Sequence, residues 1–355
     1  IVFDEFHEYI NMPAFNLLFA ELVQVKKWQV GKANTLLVSA TPNYHFIHDF
    51  LDIDCIVDME SFNQSKYRIE FKVFDETIFD ESNPLYRHQE NKNTFVISNT
   101  ATAAQLSFIK NQQNENAVLL HSKFRASDKL DLFNQVFDAF KDGGKKSFDI
   151  LRSGPVVQAS LNISCDYMVS EFTYAENFLQ RLGRLDRFGK NKAVNKYLIA
   201  VPDSIHAGKG NGNCARFLGR LFSFQSAKAW YEFLQDQQVD EKELTISDIY
   251  HLYREFYKTS NGKISIADDF LTSLKHSAQL INAKVHDPMS PPKRKKSEKK
   301  LKMKKSSLRG DSRFVNMAIC ELSNPDNPIF LDKYIINQSD CQMELTESLD
   351  VISNS

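Results

Sequence analysis

Along residues 1 to 201, short β-branched or apolar runs alternate with longer amphipathic stretches, the pattern of parallel strands joined by crossover helices, and so an α/β reading. The runs predict strands at Ile1–Phe3, Thr35–Ser39, Thr94–Ser98, Ala117–His121, Phe148–Leu151, Tyr167–Ser170 and Val194–Val201. Pro13 suits a first helical turn, and behind it Leu17, Leu18, Glu21, Leu22 and Val25 recur at helical spacing. Further helices are expected over 101–112, 127–141 and 175–187, with Gly143 and Gly144 ending one of them. The polar stretch 55–92 holds one clear strand candidate, Tyr67 to Phe74, and reads as a connector between two α/β units that divide near residue 90. From 203 to 286 the pattern turns helical, with Ala227, Trp230, Tyr231 and Leu234 on one face and Ile249, Leu252, Tyr253, Phe256 and Tyr257 on another. These stripes read as core.

Composition adds limits. At 355 residues and 42% hydrophobic content the chain can bury the cores of two or three domains. Its apolar runs fall far short of the roughly 18–20 residues a membrane helix needs, and no basic-then-apolar leader opens it. A soluble, cytoplasmic protein without a membrane partner is the expectation. Five scattered cysteines (Cys55, Cys165, Cys214, Cys320 and Cys341) show no CxxC spacing and read as reduced structural thiols. Net charge is −1, yet Lys293 to Lys305 holds nine Lys or Arg against one Glu, leaving the remainder at about −9. With Pro291 and Pro292 ahead of it, this block reads as a solvated linker over 287–308, with a possible hold on phosphates. Ile1-Val2-Phe3 reads as the end of a buried strand without a visible partner, so the chain looks like the later part of a larger protein.

Three short segments carry chemistry. Asp4 and Glu5 follow an apolar run and so stand at the carboxyl end of a strand, where open α/β sheets place their ligand crevices. One carboxylate there can hold Mg²⁺ while its neighbour orients or deprotonates water. Ser39 and Thr41 lie at the end of another strand, where they can relay hydrogen bonds or simply cap a following helix. In Gln180-Arg181-Leu182-Gly183-Arg184-Leu185-Asp186-Arg187, the spacing puts Gln180, Arg184 and Arg187 on one helical face, with two guanidiniums suited to phosphate oxygens. Gly183 in mid-helix costs about 1 kcal/mol relative to Ala, which predicts close packing against it.

In order and spacing, Asp-Glu-Phe-His (4–7), Ser-Ala-Thr (39–41) and Gln-Arg-x-Gly-Arg-x-x-Arg (180–187) resemble motifs II, III and VI of superfamily 2 helicases. Within that superfamily the chain is most similar to the helicase of type I CRISPR interference, through Phe95 to Thr100, Leu119 to Phe124, Ser160 to Ile163 and Glu171. The resemblance covers about residues 1–200; beyond it, the basic linker and Ser307 to Gly310 are only loosely similar to a C-terminal extension. It implies tandem RecA-like domains: 1–89 as the end of a truncated first one, 90–202 as a complete second one, then a helical region 203–286, the linker 287–308 and a C-terminal region 309–355. It further implies ATP and Mg²⁺ as cofactors, with Asp4 on the metal, Glu5 activating water, and Gln180, Arg184 and Arg187 closing on the γ-phosphate. His7, Ser39 and Thr41 would couple hydrolysis to domain movement, and Asn99, Thr100, His121, Ser122 and Ser160 would line the nucleic-acid track. The implied partners are single-stranded DNA, a CRISPR effector (Cascade-like) complex and a nuclease domain or subunit outside this chain.

The sequence departs from that pattern in three respects. No GxxxxGK[ST] loop occurs, and Gly31-Lys32-Ala33 lacks its earlier glycine and its hydroxyl residue, so the chain as given is expected to hydrolyse no ATP alone. Gln158, Asn162 and Ser164 stand where the family commonly has acids. His48-Asp49 and His286-Asp287 are isolated pairs rather than a histidine-aspartate nuclease site. A non-hydrolysing remnant that binds nucleic acid or an effector complex, and an RNA-directed helicase of the same superfamily, remain alternative readings.

Overall fold

The computed structural model describes residues 2–10, 15–28, 35–53, 63–124, 126–157, 161–207, 212–286, 314–320 and 330–337. Ser160, Gln158, Lys32 and the basic linker lie outside the described residues.

The first unit is small. Strand β1 (Val2–Asp4), helices α1 (His7–Ile10) and α2 (Phe15–Trp28), and strand β2 (Leu36–Val38) lead to a π-helical turn at Phe46–Phe50. β1, expected without a partner, pairs in parallel with β2, Asp4 opposite Val38. Phe6, Ile10, Phe19, Val23, Phe46, Ile47 and Leu51 form its core. The α2 stripe read from the sequence turns outward: Leu18, Leu22 and Val25 are exposed while Phe19, Ala20 and Val23 point in.

The second unit is a seven-stranded sheet. Its elements are β3 (Lys66–Phe74), β4 (Thr94–Ile97), α3 (Ala101–Asn111), β5 (Ala117–Leu120), α4 (Ala126–Phe140), β6 (Ile150–Ser153), β7 (Tyr167–Glu171), α5 (Ala175–Leu182) and β8 (Asn195–Pro202). The spatial order is β5-β6-β4-β7-β8-β3, closed at one edge by the short β9 (Leu244–Thr245). All pairs are parallel except β3 with β9. Strands buried on both faces need continuous apolar runs, and Thr94–Ile97 is buried at every position. The strand expected over Tyr67–Phe74 is present, but it belongs to the second sheet rather than to a connector. Lys66–Phe74 runs beside β8 through its whole length, so the second sheet begins well ahead of residue 90.

Helices α6 (Asp203–His206), α7 (Asn213–Arg220), α8 (Phe224–Asp236), α9 (Ile246–Lys258) and α10 (Ser260–His286) follow. They form no separate body: Leu218, Trp230, Leu234, Ile249, Tyr253 and Phe256 share one core with sheet residues Ile97, Leu151, Tyr197 and Ile199. α10 also packs Phe270 into the core of the first unit. There Asn16, fully buried on α2, donates to Ser273 Oγ at 2.9 Å and accepts from Ser277 Oγ at 2.6 Å. Strands β10 (Phe314–Cys320) and β11 (Phe330–Asn337) pair antiparallel further on, an addition the sequence did not predict.

Candidate functional site

Side chains that follow strand ends of the first unit meet side chains of the second. β1 ends at Asp4, whose Oδ1 accepts the Glu5 N–H at 3.0 Å. Glu5 adopts a left-handed backbone, φ 49°, uncommon for a residue with a Cβ, which swings its carboxylate off the strand line. His7, at the start of α1, lies with Nδ1 2.7 Å from Ser39 Oγ and 3.3 Å from Glu5 Oε2. Ser39 Oγ in turn accepts the Thr41 N–H at 3.0 Å.

The second unit reaches this cluster through Gln180. Its Nε2 donates to Thr41 Oγ1 at 3.1 Å and lies 3.5 Å from His7 Nε2. His7 thus stands between Gln180 on one ring nitrogen and Ser39 and Glu5 on the other. Segments expected to cooperate from the sequence, 4–7, 39–41 and 180–187, thus meet through side chains that cross between the units.

The arginines are held differently from the predicted helical face. α5 ends at Leu182 with Gly183 as its cap, because Leu185 turns away to bridge Cys165 and cannot continue the helix. Arg184 and Arg187 therefore leave the i, i+4, i+7 line. The close packing expected at Gly183 is absent too, since a Cβ there meets only the Gln180 and Leu179 carbonyls at 3.5 Å. Arg184 is buried and donates to the Leu161 carbonyl. Burial, then the like charge of Arg187, lowers its guanidinium to about 10, against the opposing pull of Glu5. Arg187 Nε donates to Asn162 Oδ1 at 2.6 Å, and its N–H to Ser164 Oγ at 3.0 Å. The neutral residues at 162 and 164 thus keep hydrogen bonds to the arginine. Burial lowers Arg187 as well, opposed by Glu5 and then by Tyr250.

Three participants escaped the sequence reading. Arg181, fully buried, donates to Ser170 Oγ, to the Glu171 carbonyl and to Asn99 Oδ1 at 2.7–2.8 Å. Asp186, φ 46°, accepts from Ser65 Oγ at 2.5 Å and from Asn195 Nδ2 at 3.1 Å, tying the end of the motif to the start of β3. Tyr250 on α9 feels Glu5 and Arg187, and burial first, then Glu5, pushes its hydroxyl up to about 12. An aromatic residue off the α9 core stripe was the available signal for it.

The predicted nucleic-acid residues separate. Thr100 and Ser122 are exposed at the ends of β4 and β5, Thr100 also capping α3 through the Ala103 N–H at 3.1 Å. His121 is buried, stacked on Phe124 at 4.1 Å, with Gln105 at 3.1 Å on its Nε2. Asn99 corrects the expectation of a surface contact. At 2% exposure it donates to the Phe172 carbonyl and accepts from Arg181, so its side chain serves the interior.

Asp4, an exposed carboxylate at a strand end, suits Mg²⁺, which binds through one or two carboxylates and completes its shell with water and phosphate oxygens. Among the described residues, no group of three or more His, Cys, Asp or Glu gathers for an all-protein metal site. His48 and Asp49 do not form a pair with each other: Asp49 bonds His45 at 2.7 Å. No helix among the described residues is long and apolar enough to cross a membrane.

The parallel-dominated sheet with its helices, and the contacts among segments 4–7, 39–41 and 180–187, resemble the RecA-like α/β units of superfamily 2 helicases. Residues 90–190 match the family described as CRISPR-associated nuclease/helicase Cas3, C-terminal. A putative CRISPR-associated nuclease/helicase Cas3 of Methanocaldococcus jannaschii is 25% identical over 210 residues, 55% of this chain and 28% of that protein. The fold superposes on T. fusca Cas3 with ATP at a TM-score of 0.58 and 16% identity, over 79% of this chain and 38% of that one. A chain of a CRISPR RNA-guided surveillance complex, pre-nicking, gives 0.57 and 15%, over 79% and 40%. The chain thus resembles the C-terminal portion of Cas3-like helicases of CRISPR systems, and spans well under half the length of the relatives it matches.

Proposed function

We propose that this chain forms part of an ATP-dependent motor that reels or unwinds single-stranded DNA in CRISPR type I interference. The observation carrying the reading is the side-chain bridge from Gln180 to Thr41 and His7, with Glu5 acting electrostatically on Arg184 and Arg187. One carboxylate on the first unit, Glu5, interacting electrostatically with two guanidiniums from the second is an arrangement suited to a triphosphate held between them.

Asp4 would hold Mg²⁺, which supplies charge neutralisation at the phosphates. Glu5, exposed and tethered through His7, orients or deprotonates the attacking water. Arg187 exchanges Asn162 for a phosphate oxygen, and Arg184 exchanges the Leu161 carbonyl. The cost of those exchanges is met only when phosphate charge is present, so the arginines report the nucleotide state. Gln180 reads the same state through Thr41 and His7 and passes it to β2 and α1. The phosphate-cradling loop is to be supplied by residues outside this sequence, and a Cascade-like complex and a nuclease are the proposed partners. Thr100 and Ser122, exposed at strand ends, would contact the nucleic-acid backbone, which holds a strand without reading its bases.

The test is phosphate release by the chain joined to a first-unit half bearing a GxxxxGK[ST] loop, with single-stranded DNA or RNA added. Stimulation by DNA supports the reading. Stimulation by RNA alone would move the substrate to RNA, and binding without release would favour a non-hydrolysing scaffold.

A further inference from the structure

The loop beyond Thr41 is gripped by two helices of different origin. On α5, Glu176 stands one turn before Gln180. Its Oε1 accepts from Asn43 Nδ2 at 3.4 Å, while Gln180 holds Thr41, so one helix reaches two alternate residues of the same loop. On α9, Tyr253 donates to the Pro42 carbonyl at 2.9 Å and Tyr257 donates to Glu176 Oε1 at 2.6 Å, with the two hydroxyls 3.3 Å apart. The Tyr44 ring closes on both tyrosines, edge-on to Tyr257 with centroids 5.3 Å apart. Burial pushes the Glu176 carboxyl up from its ordinary range, opposed first by the Tyr257 hydroxyl.

The grip is not close-packed. Cavities of about 20 Å³ and 10 Å³ both border Asn43, Tyr174 and Glu176, one toward Ser226 and Asp269, the other toward His7. Each is the size of about one water molecule and is lined by polar groups that can bond it. Hydroxyls and voids at a junction allow partners to be exchanged, whereas an apolar, fully packed junction resists it.

We propose that Glu176 is a positioning residue, which together with Tyr253 and Tyr257 fixes the Pro42–Tyr44 loop against α5 and makes α9 a moving part of the motor. Its consequence for turnover rests on the function proposed above; its consequence for the loop does not. Displacing the loop would shift Gln180 relative to Thr41, and α9 would carry Tyr250 along with it at the cleft.

The experiment uses the full chain and amide hydrogen exchange at Phe46 and Ile47, whose N–H groups bond Asn43 Oδ1 and the Asn43 carbonyl. Tyr257→Phe keeps the ring and removes the donor; Glu176→Gln keeps an acceptor for Tyr257. Tyr257→Phe and Gln180→Ala should each speed these amides by about tenfold, with Val96 and Val169 unchanged and Glu176→Gln closer to the parent. The double variant should fall short of the product of the single effects, because both helices hold one loop. Multiplying effects, or unchanged Phe46 exchange in Tyr257→Phe, would overturn the proposal. In a turnover assay of the completed motor, Tyr257→Phe should lower kcat severalfold with KM for ATP unchanged, and unchanged kcat would remove α9 from the motor. A parent that turns over no nucleotide would count against the functional reading alone, with the exchange data still deciding the role of Glu176.

Discussion

Arg152 has no exposed side-chain surface and lies against Glu115, equally buried, with Nε and Nη2 donating at 2.7 and 2.6 Å. Its other donors reach the Leu85 carbonyl at 2.9 Å and the Arg87 carbonyl at 3.0 Å, so one side chain ties the 85–87 segment to β6. Arg152→Ala would strip the buried Glu115 carboxylate of both guanidinium bonds, leaving the Gln89 N–H at 2.7 Å and His88 Nδ1 at 3.3 Å beside it, and should cost about 3–5 kcal/mol in urea unfolding. Glu171 behaves oppositely. Burial raises its carboxyl to about 6 from 4.5, against the Asn99 N–H and Arg181. The native state therefore holds a proton that the unfolded chain has released, and stability falls as pH rises from 4.5 through about 6, by about 2 kcal/mol. Glu171→Gln should flatten that slope in unfolding measured across the window; an unaltered slope would assign it to other groups.

At the scale of elements, local pattern sufficed where an element's own residues decide it. The strands at Thr94–Ile97, Ala117–Leu120 and Tyr167–Glu171 stand within a residue or so of their predicted bounds, because each centres on a short apolar run visible in its own residues. Lys66–Phe74 was visible as a strand, but its partner β8 lies more than a hundred residues on, and no local pattern encodes that pairing. The α5 end was misread for a related reason: spacing continues a helix through Gly183, while the Leu185 bridge to Cys165 is a tertiary contact. Of the candidate site, the segments 4–7, 39–41 and 180–187 were singled out by their resemblance to helicase motifs, whereas Tyr250, Arg181 and Asp186 depend on folding distant segments together. α9 begins with a reciprocal cap, Thr245 accepting the Asp248 N–H at 3.2 Å and Asp248 accepting the Thr245 N–H at 2.8 Å. Since this helix bears the tyrosines at the loop, Thr245→Ala should lower stability by about 1 kcal/mol in thermal or urea unfolding. A loss near zero would mean packing alone sets its start.

For the whole molecule, the helices after β8 complete the core of the second unit and reach back to the first. Trp230 and Phe256 pack with the sheet residues, and α10 carries Phe270 into the first core and Ser273 and Ser277 onto Asn16. Two units bridged by helices can change their separation by rotating about those helices or by loosening them. That arrangement gives the proposal its form: a triphosphate between Glu5 and the two arginines would draw the units together, and its hydrolysis would release them. The most direct measurement is DNA-stimulated phosphate release by the chain completed with a phosphate-binding loop, compared among the parent, Glu5→Gln and Arg187→Ala. The account predicts that each substitution lowers release by about a hundredfold or more while leaving DNA binding in place. Release undiminished in either variant would contradict it.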